Sequence, residues 1–158
     1  MDPDVAVMHK VLEDVRAQLF KEVEILEDAD LNRTFPGLQN TIGILLRHMA
    51  GSERYWISGV AGGGSLDRDR EAEFVREPLA KGALLNNLRA TQAATEGVLS
   101  RLGSDELRGS VEVQGARGTW KATRAWAILH AIQHLAYHLG QVRLMAGMAR
   151  HLREAGSG

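Results

Sequence analysis

Trp126-Ala-Ile-Leu-His130-Ala-Ile-Gln-His134-Leu-Ala-Tyr-His138-Leu-Gly-Gln141-Val-Arg-Leu-Met145 sets three histidines four residues apart. On a helix each step of four turns the side chain by only about 40°. Trp126, His130, His134, Tyr137, His138, Gln141 and Met145 then share one side. Leu129, Ile132, Leu135, Leu139 and Val142 lie round the others, and a helix apolar over most of its circumference is a buried one. Buried polar groups need partners, so the histidine row calls for one. Two histidines four apart can converge on one ion, because their Cβ atoms sit roughly 6 Å apart and metal–nitrogen bonds of about 2.0–2.1 Å close the gap. Three in a row cannot: His130 and His138 are separated by about 12 Å along the axis. The pair is therefore 130/134 or 134/138, and His134 belongs to both.

Working outward, the same periodicity predicts three more helices, which makes the chain an all-α four-helix bundle. The first runs from about Pro3 to Asp28, with Asp2 as its cap and Met8, Leu12, Val15, Leu19, Val23 and Leu26 as its stripe. A loop follows to Gln39. The second runs from Asn40 or Thr41 to about Gly59, with Ile42, Leu45, Leu46, Met49 and Trp56 inward; Gly62-Gly63-Gly64 ends it. Asp67 to Glu73 is a charged stretch, read as a solvated loop, with a mobile lid as the alternative. The third helix spans about Pro78 to Leu102. Ser110 to Gln114 alternates and then meets Gly115-Ala116-Arg117-Gly118, a short extended pair with a turn between the third and fourth helices. The fourth helix runs from Thr119 or Thr123 to about Arg153. Residues 1–153 read as one domain and 154–158 as a flexible tail.

Composition narrows the function classes. The chain has 158 residues, 44% hydrophobic and 25% charged, which suits one soluble domain. A net charge of −1 leaves no broad basic field for nucleic acid. No apolar run approaches the roughly 20 residues of a membrane span. The acidic start, Met1-Asp2-Pro3-Asp4, lacks the features of a signal peptide, so a cytoplasmic location is expected. With no cysteine, thiolate metal sites and a cysteine nucleophile are excluded, and any metal is held by nitrogen or oxygen.

A third ligand should come from another helix, and His48 in the amphipathic second helix is the candidate. His9 and His151, near the ends, read as solvent-facing. The letters exclude familiar alternatives. A zinc-protease helix needs Glu after the first histidine, where Ala131 stands. The inverse motif needs Glu before the second, where Gln133 stands. Di-iron bundles need Glu three residues before a histidine, and no histidine has one. A three-histidine mononuclear site remains. It leaves at least one coordination position for water or substrate.

Asn40-Thr-Ile-Gly-Ile-Leu-Leu-Arg-His48-Met-Ala-Gly-Ser-Glu53-Arg-Tyr-Trp56 resembles the second helix of the DinB/YfiT-like superfamily of metal-binding bundles. Thr123-Arg-Ala-Trp126 leading to His130, His134, His138 and Gly140-Gln141 resembles its last helix. Where the family often has Arg before the Gly-Gln pair, this chain has Leu139. The resemblance implies His48, His134 and His138 as metal ligands. His130, Tyr137, Gln141 and Glu53 become candidates for the pocket or its surroundings, with Tyr55 beside them. It further implies an up-and-down style bundle, a homodimer, and one divalent ion, zinc or nickel before iron or manganese.

The implied activity is metal-dependent transfer of a small electrophile to a low-molecular-weight thiol such as bacillithiol or mycothiol, as in detoxification or stress response. The absence of cysteine fits a thiol supplied by a small-molecule cosubstrate. A metal-dependent hydrolase, and a non-enzymatic module for metal or stress ligands, are the competing classes. No nucleic-acid or membrane partner is expected.

Overall fold

The computed structural model describes residues 1–115 and 118–155. It is mostly helical. Helix α1 spans Pro3–Glu24, α2 Asp28–Leu31 and α3 Ile42–Glu53. A π-helical segment, Arg54–Ala61, prolongs α3. A 3-10 turn at Ala72–Phe74 precedes α4 (Lys81–Leu99) and α5 (Ser104–Arg108). Strands β1 (Ser110–Gly115) and β2 (Gly118–Thr123) lead into α6, Arg124–Ala155.

Local chemistry explains the starts and stops. The Asp2 carboxylate accepts the Asp4 N–H (2.9 Å) and also the Ser104 hydroxyl, which ties α1 to α5. Thr41 Oγ1 accepts the Ile44 N–H at the start of α3 (3.3 Å). Helix α1 ends four residues before the expected Asp28, because Asp30 accepts the Glu27 N–H (3.0 Å) and opens a new turn. Helix α4 begins at Lys81 and not at Pro78. Asn32 grips both backbone groups of Leu79, and Asp28 accepts the Lys81 N–H. Gly63, at φ +70°, makes the turn after the π-helical segment that a side chain would resist.

The expected extended pair is an antiparallel hairpin with Val111 opposite Ala122 and Val113 opposite Trp120. Val113 is buried and fastens the hairpin to the core. The expected turn residues Ala116 and Arg117 lie outside the described residues, as do Gly156 to Gly158 of the expected tail. Glu154 and Ala155 continue α6.

The long helices do not alternate in direction. Helices α1 and α6 run parallel: Val7 and Met8 lie near Ala125 and Leu129 at one end, and Glu22 pairs with Arg143 (3.2 Å) towards the other. Helix α3 is antiparallel to α6, with His48 against His134 and Trp56 against Trp126. Helices α3 and α4 run parallel, since Gly43 lies against Leu79 while Arg54 reaches Asn87 and Thr91. The order is up, down, down, up, which corrects the up-and-down expectation. Two consecutive parallel helices need a connection that returns the whole length of the first. Residues 62–80 make that return, and they do so over the face of α3 that carries His48.

The charged stretch of this crossover strap is largely exposed, as expected of a solvated loop, but it is tied down at points. Arg47 donates from Nε to the Glu73 carbonyl (2.9 Å) and from Nη2 to the Val75 carbonyl, and pairs with Glu77. Glu73 itself is buried. Every residue of α3 except Arg47 is buried as well. The shared core gathers Leu12 and Leu19 of α1, Leu46 and Met49 of α3, Leu99 of α4, and Ile128 and Val142 of α6.

Candidate metal centre

His48 comes from the buried middle of α3, and His134 and His138 from one face of α6. Their Nε2 atoms converge: His48 to His134 is 3.1 Å, and His138 to His134 is 3.1 Å. Among the described residues, one ligand atom from each ring lies within 4.8 Å of the other two.

Counting hydrogens shows why the arrangement suits a cation. His138 Nδ1 donates to Gln141 Oε1 (2.6 Å), and His48 Nδ1 donates to Glu73 Oε2 (2.8 Å). A neutral imidazole has one ring hydrogen. The Nε2 atoms of both rings are therefore lone pairs, and both face Nε2 of His134. His134 supplies one hydrogen at most between them, so an acceptor is left facing an acceptor. A divalent ion resolves that conflict. With metal–nitrogen bonds of about 2.0–2.1 Å, nitrogens at this spacing subtend about 100° at the ion, compatible with tetrahedral coordination. The donor set fits the metal that the sequence predicts.

The electrostatics favour neutral rings. Burial, reinforced by the neighbouring His138, His48, His130 and Arg68, pushes the pKa of His134 down to about 3. Burial also lowers that of His138, against the opposing pull of its bond to Gln141. Metal binding requires this neutral form. Burial works to raise the pKa of Glu73, but hydrogen bonds from His48 and Arg68 outweigh it and hold the carboxyl below its usual range.

The other expected residues are placed as follows. His130 stands outside the cluster. It is stacked on Trp126 (4.8 Å, 7°) with the edge of Trp56 at 4.5 Å, and its ring centre is 6.4 Å from that of His134. Gln141 touches the site through His138 and donates to the Tyr137 hydroxyl (3.3 Å). Tyr137 lies beside His138, its ring centre 5.1 Å away, and is otherwise exposed. Glu53 points elsewhere. It follows His48 by five residues, about 140° round the helix. There its carboxylate is buried against Arg16 and accepts from Thr95 (2.6 Å). Tyr55 donates to the Gln114 carbonyl (2.8 Å) and so pins the hairpin, not a ligand.

Sequence reasoning did not find Glu73, Arg68 or Phe74. Phe74 packs on the His48 ring at 4.6 Å. Arg68 grips Glu73 with two bonds, Nε to Oε1 (2.7 Å) and Nη2 to Oε2 (2.8 Å). One signal was present: Gly51, a glycine inside an apolar helix and one turn past His48. His9, expected to face solvent, is partly buried near Glu13 (3.8 Å) and Glu96, while Arg16 and Gln92 already bind Glu13.

A hollow of about 290 Å³ opens beside His138. Leu38, Leu45, Leu144 and Met145 give it apolar walls, and Gln39, Asn40, Tyr137 and Gln141 add polar ones. No described helix is long and apolar enough to cross a membrane.

The fold is that of a mostly helical family, and in this chain three histidines converge within it. The model of the DinB superfamily matches residues 11–142, and the chain belongs to that superfamily. A crystal structure of a conserved protein from Enterococcus faecalis superposes with a TM-score of 0.70 at 15% identity, covering 96% of this chain and 99% of that one. At that identity the likeness speaks for the fold. No curated protein matches the chain.

Proposed function

We propose that the protein is a four-helix-bundle metalloenzyme that transfers a small electrophile to a low-molecular-weight thiol. The observation that carries the reading is the convergence of three Nε2 atoms with too few hydrogens between them. Zinc or nickel is the expected ion, since both accept imidazole ligands. A divalent ion there would acidify a thiol that reached it and favour the thiolate.

The chain's own residues supply the rest. Three neutral histidines bring no negative charge, so the site keeps its full attraction for an anionic sulfur. Gln141 orients His138. The hollow beside His138 offers the electrophile an apolar wall of Leu45 and Met145. With no cysteine in the chain, the sulfur must come from a cosubstrate. The reading goes with a cytoplasmic location, where small thiols stay reduced, and with a homodimer.

Purified protein loaded with zinc or nickel tests it. Bacillithiol, mycothiol and glutathione are offered with small electrophiles, and thiol loss is followed. Metal-dependent conjugation with one of the thiols is expected. Stoichiometric metal without conjugation in any combination overturns the transferase reading.

A further inference from the structure

We propose that Glu73 is a positioning residue of the histidine site: carried across α3 on the crossover strap, it fixes the ring hydrogen of His48 on Nδ1 and so aims Nε2 at the metal. The inference rests on reading the three histidines as a metal site.

A buried carboxylate is costly unless it is paired and hydrogen-bonded. Glu73 meets both conditions through Arg68 and His48. Being ionised, it can only accept, so the ring nitrogen 2.8 Å away must carry the hydrogen. Arg68 Nη2 also approaches that nitrogen, at 3.5 Å, but both are donors and no bond forms between them. The neutral ring has no second hydrogen, which leaves Nε2 bare. A carboxylate behind a ligating histidine orients the ring and sets the tautomer in this way.

The main chain makes room for this contact. Gly51 lies beneath Glu73, and a Cβ at that position would overlap Oε1. The glycine clears the path by which the carboxylate reaches His48.

A plainer role would be to hold the strap down. The strap has other anchors for that. Arg47 binds the carbonyls of Glu73 and Val75, and Asn32 binds both backbone groups of Leu79. None of these uses the Glu73 carboxylate, whose own bonds go to Arg68 and His48.

The test compares the full chain with Glu73→Ala, Glu73→Gln and Gly51→Ala. Zinc affinity is measured by competition with a chromophoric chelator. The tautomer of His48 in metal-free protein is read from ring nitrogen shifts after ¹⁵N-histidine labelling. Wild type should bind one zinc per chain and show hydrogen on Nδ1 of His48. Glu73→Ala and Gly51→Ala should weaken zinc binding about 10- to 100-fold and mix the tautomers. Glu73→Gln keeps the volume and can still present an oxygen, so it should fall between. A merely structural role would change melting temperature without moving the tautomer. Wild type that binds zinc while Glu73→Ala binds within twofold of it, or an unchanged tautomer, overturns the inference alone. Wild type that binds no zinc overturns the site reading, and this inference with it.

Discussion

The Nε2 atoms of His48 and His134 stand 3.1 Å apart across the interface of α3 and α6. Each ring is supplied by an antiparallel helix, and His138 adds a third nitrogen one turn along α6. The site therefore joins the two helices whose packing it depends on.

Glu53 is expected to matter for stability and not for metal. Its carboxylate is buried against Arg16 and Thr95. Removing one member of a buried pair strands the other. Arg16 would keep Glu13, so the cost belongs at the low end, about 3 kcal/mol for Glu53→Ala. Urea unfolding measures it, and elemental analysis of the same variant should show unchanged metal. Lost metal with full stability would return Glu53 to the pocket.

The pH dependence has a definite sign. His134 titrates near 6.5 when unfolded and is pushed down to about 3 by burial and its neighbours. Between those values the unfolded chain binds more protons than the folded one, so stability rises with pH. The contribution is complete above pH 6.5 and is lost as pH falls towards 3. Metal adds to this, because the unfolded chain has no assembled site. A chelator should lower the melting temperature at neutral pH and do far less near pH 3, where His134 takes up a proton and no longer serves as a ligand. Equal chelator shifts at both values would contradict a site made of three histidines.

How much of this was legible from the letters follows from what each feature depends on. The stripes of α1, α3 and α6 and the caps at Asp2 and Thr41 are local, and they could be read. So could the alternation of β1 and the spacing of His134 and His138. The direction of α4 could not, because parallel or antiparallel packing is decided by tertiary contacts. With it went the course of residues 62–80, and hence Glu73, whose partner His48 lies 25 positions away with no periodicity linking them. The apolar pattern that Trp56 continues reads as ordinary helix, and nothing in it marks the π-helical geometry. The resemblance puts Glu53 among the pocket candidates, but here its carboxylate answers a buried arginine on α1.

The proposed homodimer would have a surface to form on. Leu129, Tyr137 and Leu144 of α6 are 52%, 64% and 65% exposed and follow one outer stripe. Sedimentation at micromolar concentration should report twice the monomer mass, and Leu129→Lys should shift it to monomer. A monomer throughout would count against the dimer.

Metal content across a histidine series tests the central claim most directly. Wild type, His48→Ala, His134→Ala, His138→Ala and His130→Ala are purified, exposed to zinc and analysed for bound ion per chain. His134→Ala should abolish stoichiometric binding, His48→Ala and His138→Ala should reduce it severely, and His130→Ala should leave most of it, because His130 is stacked on Trp126 outside the cluster. The reverse order, with His130 essential and His138 dispensable, would contradict the account.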